Sequence, residues 1–409
     1  MPLLSNIGSL ARCLPSDLQA EIHRIPAAAL AWEGETIVWV GPEADIPEQV
    51  RDWPREDAGG RLVVPGLVDC HTHLAFAGWR AEEFEQRILG RSYLDIAAAG
   101  GGIASTVAKT RAATTEALTA RCREHLAGMA RLGVTTVEAK SGYGLSEEHE
   151  LRLLGIYREL GAGPQRIVAT LLAAHLVPAE YCDRRAEYLE LVAGRIVPSA
   201  ARERLARFCD VFVEEGAFTV AEARAILEAG KRHGLRPKLH ADQLSSSGGA
   251  ELAAEVGAAS ADHLERVSEE GVRRLARADV VAVSLPFATL YLGASPLPAR
   301  RLLDAGVRVA VATDFNPGTA PSYHLPMAMT LACTLQRMTP AEVLKGATIV
   351  AARAIGLQAE VGSLEAGKSA DFAVIDADSV EQWLYHLRAN ACVRTVARGV
   401  ELWRAPGAS

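Results

Sequence analysis

Through the middle of the chain one pattern repeats: a short continuous apolar run, a polar residue or two, then a longer stretch with apolar residues three and four apart. The runs are RLVVPGLVDCHTHL, VTTVEAKSGYG, RIVATLLAAHLVP, CDVFVEEGAF, RPKLHADQL, SADHLE, VVAVSLPFA and VRVAVATDFNPG. Runs without alternation suit strands buried on both faces, as in a parallel sheet. The stretches between, such as TEALTARCREHLAGMARLG and TVAEARAILEAGKRHG, have helical spacing. Eight strands separated by helices predict an α/β fold, a TIM-like (β/α)8 barrel over residues 64–359. A doubly wound sheet is the alternative, but no G-x-G-x-x-G follows the first strand. The triplet Gly100–Gly102 reads as a flexible turn.

The two ends of the chain differ. AALAWEGETIVWVGP alternates apolar and polar residues around Glu33-Gly34-Glu35, a hairpin signal. GSLEAGKSADFAVID and VRTVARGVELWR read as strand–turn–strand units turned at glycine. Together they predict a small β-sandwich domain built from both termini, residues 1–63 and 360–409.

Polar residues gather where the middle strands end: His71 and His73, Lys140 and Tyr143, His175, Glu214 and Glu215, His240 and Gln243, His263, then Asp314 with Asn316. Packing does not explain apolar strands that end repeatedly in such groups. In a barrel those ends converge on the face where active sites sit. Strand residues two apart point to the same side, so His71 and His73 aim into one space, as does Asp69. The two histidines, with His240, His263 and Asp314, offer nitrogen and oxygen ligands suited to Zn²⁺ or Fe²⁺. A divalent ion lowers the pKa of a coordinated water toward about 7. Glu214 and Glu215 read as a solvated pair at the start of a loop.

Arg80 follows the histidine pair closely. A guanidinium there can bind a carboxylate bidentately, with Tyr93, Tyr143 and His175 as further donors, so a small ring with an acidic tail would fit. The plainer readings are an ion pair of Arg80 with Glu82 or Glu83 on a helix surface and a core position for Tyr93.

Composition narrows the class. The 409 residues are 49% hydrophobic but 5% aromatic, with a net charge of -7 and no basic run, which argues against a nucleic-acid partner. Seven scattered cysteines without a CxxC read as reduced thiols in a cytoplasmic protein. The start, MPLLSNIGSLARCLPSD, has no secretory-signal pattern, and no apolar run approaches the roughly 20 residues of a membrane span.

The set of HxH after the first strand, histidines on the fifth and sixth, and aspartate on the eighth resembles the amidohydrolase superfamily. The block FAGWRAEEFEQRILGRSYLDIAAAGGGIASTV, with VEAKSGYGL, TLLAAHLVP, HADQLS, ADHLE and VATDFNPG, is similar to the imidazolonepropionases, and the similarity runs from about Leu30 to Arg398. Binuclear amidohydrolases carry a carboxylated lysine at the end of strand four. Here that strand ends VEEGAF, and Lys140 ends strand two. The resemblance therefore implies one divalent ion, Zn²⁺ or Fe²⁺/Fe³⁺, held by His71, His73, His240 and Asp314, with His263 beside it. It implies hydrolysis of the cyclic amide C–N bond of 4-imidazolone-5-propanoate to N-formimidoyl-L-glutamate in histidine degradation. Asp314, His263 and Gln243 would be catalytic. Arg80 would hold a carboxylate, with Tyr143 and His175 nearby. Tyr93 would bind after its loop folds over. Gln243 would contact the ring, and Asn316, Gly318 and Thr319 would hold the other end.

Two rival readings stay on the same scaffold. A base deaminase needs a glutamate shortly after the strand-five histidine, where Gln243 stands; an amide cannot act as that acid. A catalytically silent binding protein would have no reason to keep the whole ligand set. The expected partner is thus a small molecule with a carboxylate tail, with no nucleic acid and no membrane. A homodimer is one assembly the sequence allows.

Overall fold

A computed structural model describes residues 1–16, 18–91, 95–96 and 99–407. Its strands, in chain order, are β1 (Leu3–Ala11), β2 (Arg24–Glu33), β3 (Thr36–Pro42), β4 (Arg55–Asp57), β5 (Leu62–Pro65), β6 (Leu67–Thr72), β7 (Val134–Lys140), β8 (Arg166–Ala174), β9 (Phe208–Val213), β10 (Arg236–Ala241), β11 (Ser260–His263), β12 (Val281–Ser284), β13 (Val309–Val311), β14 (Phe372–Ile375), β15 (Cys392–Ala397) and β16 (Val400–Arg404). Strands β6 to β13 form one parallel sheet in sequence order. Its two ends meet. Thr72 bridges Phe315, His73 N–H donates to the Phe315 carbonyl at 2.8 Å, and Asp314 N–H donates to the His71 carbonyl at 3.0 Å. The sheet is a (β/α)8 barrel.

The other strands come from both ends of the chain and pair in the order β16-β15-β14-β5-β1-β2-β3, with β4 on β1. In a flat sheet β14 and β2 would lie about 14 Å apart, three spacings of roughly 4.8 Å. Yet the rings of Trp32 and Phe372 are 5.1 Å apart. The main chain of Glu35 and Ile37 bonds to residues 367, 368 and 370 ahead of β14. The sheet therefore curls over a core of its own, including Leu4, Leu30, Val63 and Phe372.

Two sequence expectations change. RLVVPGLVDCHTHL is two strands, because the chain crosses between sheets at Gly66. A Cβ at that position would lie 2.4 Å from Thr135 Oγ1, so only glycine passes. GSLEAGKSADFAVID contributes only β14; its first half is turns and bends. Among the described residues, no helix is long and apolar enough to cross a membrane.

Inward positions in the barrel follow the period of two. One end is apolar, with Val168, Phe208, Val281, Val283 and Ala310 in a single cluster. Above them Glu138, Asp210, Lys238 and Asp262 are fully buried charges. The helix Thr115–Arg131 packs outside, and its His125 is buried against Phe76 and Phe315, with ring centroids 5.5 and 4.8 Å away. Burial pulls the His125 pKa down to about 4. The unfolded ring protonates near 6.5 and the folded ring only near 4, so this site removes stability as pH falls through that window, by up to about 2–3 kcal/mol. Urea unfolding of the parent and His125→Phe at pH 7 and 4.5 checks this; the parent loses more on acidification.

Candidate active site

The strand ends deliver a cluster of imidazoles around one carboxylate. His71 Nε2 and His73 Nε2 stand 3.3 and 3.5 Å from Asp314 Oδ1. His71, His73 and His240, and likewise His71, His263 and Asp314, each bring ligand atoms within 4.8 Å of one another. Two donors bound at about 2.0–2.1 Å in tetrahedral geometry lie roughly 3.4 Å apart, so the spacing at Asp314 suits a single ion. His71 Nε2 and His240 Nε2 are buried without a hydrogen-bond partner. Buried polar atoms normally have one. The donor set fits a divalent cation of the zinc or iron type.

Local structure sets the rings. Asp314 and His263 have left-handed backbone, φ 56° and 77°, a conformation Asp and His tolerate better than most residues but at some cost. His71 Nδ1 is 2.6 Å from Asp262 Oδ2, and His240 Nδ1 is 3.1 Å from Asp210 Oδ2. Nδ1–H donation to these carboxylates leaves each Nε2 lone pair for the centre of the site. Burial outweighs Asp210 and pulls the His240 pKa down to about 3, so this ring is neutral at neutral pH, as a ligand must be. Burial works against the Asp314 charge, but the His71 and His73 imidazoles beside it hold its carboxyl well below the usual range.

A pocket opens from this cluster. Its walls include His73, Arg80, Tyr143, His175, His240, Gln243, His263, Asp314, Asn316 and Thr319. Nearly all residues expected from the sequence thus meet in one cavity. Tyr93 lies outside the described residues. Arg80 is 6% exposed, so it is not on a helix surface, and its nearest acid is Glu83 at 3.9 Å. Its Nε and Nη1 are buried and have no hydrogen-bond partner. A guanidinium in that state is a strong site for a carboxylate. Gly318 makes room for it, since a Cβ there would fall 1.7 Å from Arg80 Nη2. Gly318→Ala is expected to displace Arg80 and lower kcat/KM by about tenfold to a hundredfold, mostly through KM; steady-state kinetics on the variant checks this.

Other groups serve the loops. Asn316 Oδ1 accepts from Gly318 and Thr319 N–H, both at 2.8 Å, and its Nδ2 donates to the Asp314 carbonyl at 2.7 Å. Its amide therefore shapes the loop after β13. His175 is 3.0 Å from the Gly142 carbonyl through Nδ1. Glu150, which sequence reasoning missed, accepts from Gly144 and Leu145 N–H at 2.8 Å and so fixes the loop that carries Tyr143. Asp210 and Asp262 were also missed. The available signal was a lone charge inside an apolar strand, as in CDVFV, because an inward charge needs a partner.

Two expectations are corrected. Glu214 is not solvated; it is 4% exposed and accepts from Leu244 N–H at 2.7 Å, bracing the loop of Gln243. Glu215 beside it is exposed. Asp69 does not join the imidazole cluster. Its carboxylate accepts from Thr313 N–H and Oγ1 at 3.1 and 2.6 Å, tying the first and last barrel strands together.

The sequence profile of the amidohydrolase family matches residues 62–402. An imidazolonepropionase of Shouchella clausii is 46% identical over 376 residues, 91% of this chain and 84% of that one. An imidazolonepropionase of Geobacillus kaustophilus is 46% identical over 402 residues, 97% of this chain and 95% of that one. Among solved structures, an adenosine deaminase from Xanthomonas campestris with bound zinc superposes with a TM-score of 0.72 at 19% identity, over 98% of this chain and 92% of that one. That likeness establishes the fold. The chain belongs to the amidohydrolase family and, within it, to the imidazolonepropionases.

Proposed function

We propose that this enzyme hydrolyses the cyclic amide C–N bond of 4-imidazolone-5-propanoate, giving N-formimidoyl-L-glutamate in histidine degradation. The observation that carries the reading is Arg80, a buried guanidinium with two nitrogens free of hydrogen bonds in the same pocket as the imidazole cluster. It suits a substrate whose reacting ring lies a short arm away from a carboxylate. A base deaminase would leave that buried charge with only Glu83, at 3.9 Å, to answer it.

His71, His73, His240 and Asp314 would hold one divalent ion, zinc or iron. Bound there, the ion supplies a Lewis acid and water activated toward neutral pH. Arg80 anchors the propionate and so sets the ring carbonyl over the cluster, which converts remote binding into orientation. Asp314 takes a proton as water adds to the carbonyl carbon. His263 supports the negative oxygen that develops. Asp314 then returns the proton to the ring nitrogen as the C–N bond breaks. The ring carbonyl becomes the α-carboxylate of the product, and the anchored propionate becomes its side chain. Tyr143 and His175 supply donors on one wall, Gln243 contacts the ring, and Gly318 and Thr319 close the other end. We assign Tyr93 to the same substrate. A cytoplasmic location accords with seven free cysteines, five of them buried.

The test is a product analysis. Imidazolone propionate made in situ from urocanate by urocanase is added to the protein and the mixture read by mass spectrometry. N-formimidoyl-L-glutamate is the expected product. Ammonia released from purine or pyrimidine bases, with no action on the imidazolone, would favour the deaminase reading instead.

A further inference from the structure

Beneath the histidines lies a buried ionic group that the reaction above does not use. Lys140 Nζ is 2.8 Å from Asp210 Oδ2, 3.1 Å from Glu138 Oε1 and 3.3 Å from Asp262 Oδ2, and all four side chains are fully buried. Asp210 and Asp262 are the two carboxylates that receive the Nδ1 atoms of His240 and His71. One ammonium thus joins the two groups that orient two of the rings. A second ammonium, Lys238 Nζ, stands 3.0 Å from Glu138 Oε1; its charge also acts on Asp262, but only Lys140 makes direct contact with Asp210 and Asp262.

Such a group is a poor choice for filling a barrel. Desolvating several charges costs more than packing apolar side chains of the same volume, and their mutual attraction repays that only in good geometry. The same barrel fills its other end with valine, alanine and phenylalanine. What the charges add is direction. A carboxylate bound on one side by an ammonium cannot swing, and the imidazole that donates to it is held in one tautomer and one orientation.

We propose that Lys140 is a positioning residue of the metal centre: its ammonium fixes Asp210 and Asp262, and through them sets His240 and His71 with Nε2 toward the ion. This rests on the metal site proposed above. Sequence reasoning dismissed Lys140 as a lysine in the wrong place for a bridging ligand; its place is one layer lower.

The test compares zinc affinity of the parent, Lys140→Met and Lys238→Met by competition with a chromophoric chelator. The melting temperature of each metal-free chain reports the cost of removing one buried ammonium. Lys140→Met is expected to bind zinc about 10–100-fold more weakly, and to lose the slowly exchanging imidazole N–H proton signals of His71 and His240. Lys238→Met is expected to melt lower but to keep those signals and far more of its affinity. If Lys140→Met does not fold, Lys140→Gln, which can still donate to one carboxylate, takes its place with the same readings. A parent chain that binds no zinc overturns the metal centre and this inference with it. A parent that binds zinc, with equal affinity in Lys140→Met or an equal fall in both variants, overturns this inference alone.

Discussion

Asp314→Asn is expected to lower kcat by about 10³-fold or more while leaving the fold intact. The substitution keeps shape and removes charge. It takes away the carboxylate that faces two imidazoles at 3.3 and 3.5 Å, and with it the group proposed to carry the proton from water to the leaving nitrogen. General acid–base catalysis alone contributes about 10²–10⁴-fold, and a weakened metal site adds to that loss. Single-turnover kinetics on metal-loaded protein, with the metal content measured alongside, checks the value. A metal-loaded variant within about tenfold of the parent would remove Asp314 from proton transfer.

Arg80→Ala is expected to lower kcat/KM by about 10²–10³-fold, the roughly 3–4 kcal/mol typical of losing one partner of a desolvated charge pair. The loss should depend on the substrate. On a methyl ester of the propionate tail the parent loses its advantage, and parent and variant should converge. Arg80→Lys should recover little, because a point ammonium does not reproduce a planar fork. His125→Ala serves as the contrast. It opens a cavity among Phe76 and Phe315, so it should lower the melting temperature and spare kcat/KM. An equal loss for Arg80→Ala on acid and ester would sink the carboxylate anchor.

Much of this architecture was readable because buried parallel strands and helices leave different periodicities. All eight middle runs became barrel strands, and the histidines at their ends met at one face. The crossing at Gly66 was not readable, since RLVVPGLVDCHTHL is apolar throughout and nothing in its pattern marks a change of sheet. The orienting carboxylates were hidden for a related reason. Asp262 lies 191 residues from His71 in sequence, and only barrel closure brings them together. Asp69 misled because the period of two along a strand places it on the side of His71 and His73; its carboxylate instead accepts from Thr313. Glu214 misled because two adjacent glutamates look solvated, whereas one of them braces a turn from below. In each case the sequence carries the residue type, and the three-dimensional register decides its role.

The proposed ring opening of a carboxylate-bearing imidazolone depends on one divalent ion at His71, His73, His240 and Asp314. The most direct measurement is to strip the protein with a chelator, add back zinc or ferrous iron in fractions of an equivalent, and follow loss of the imidazolone absorbance. Activity that rises linearly and levels off at one equivalent per chain is the predicted result. Full activity in the stripped protein, or a plateau reached only at two equivalents, would contradict it.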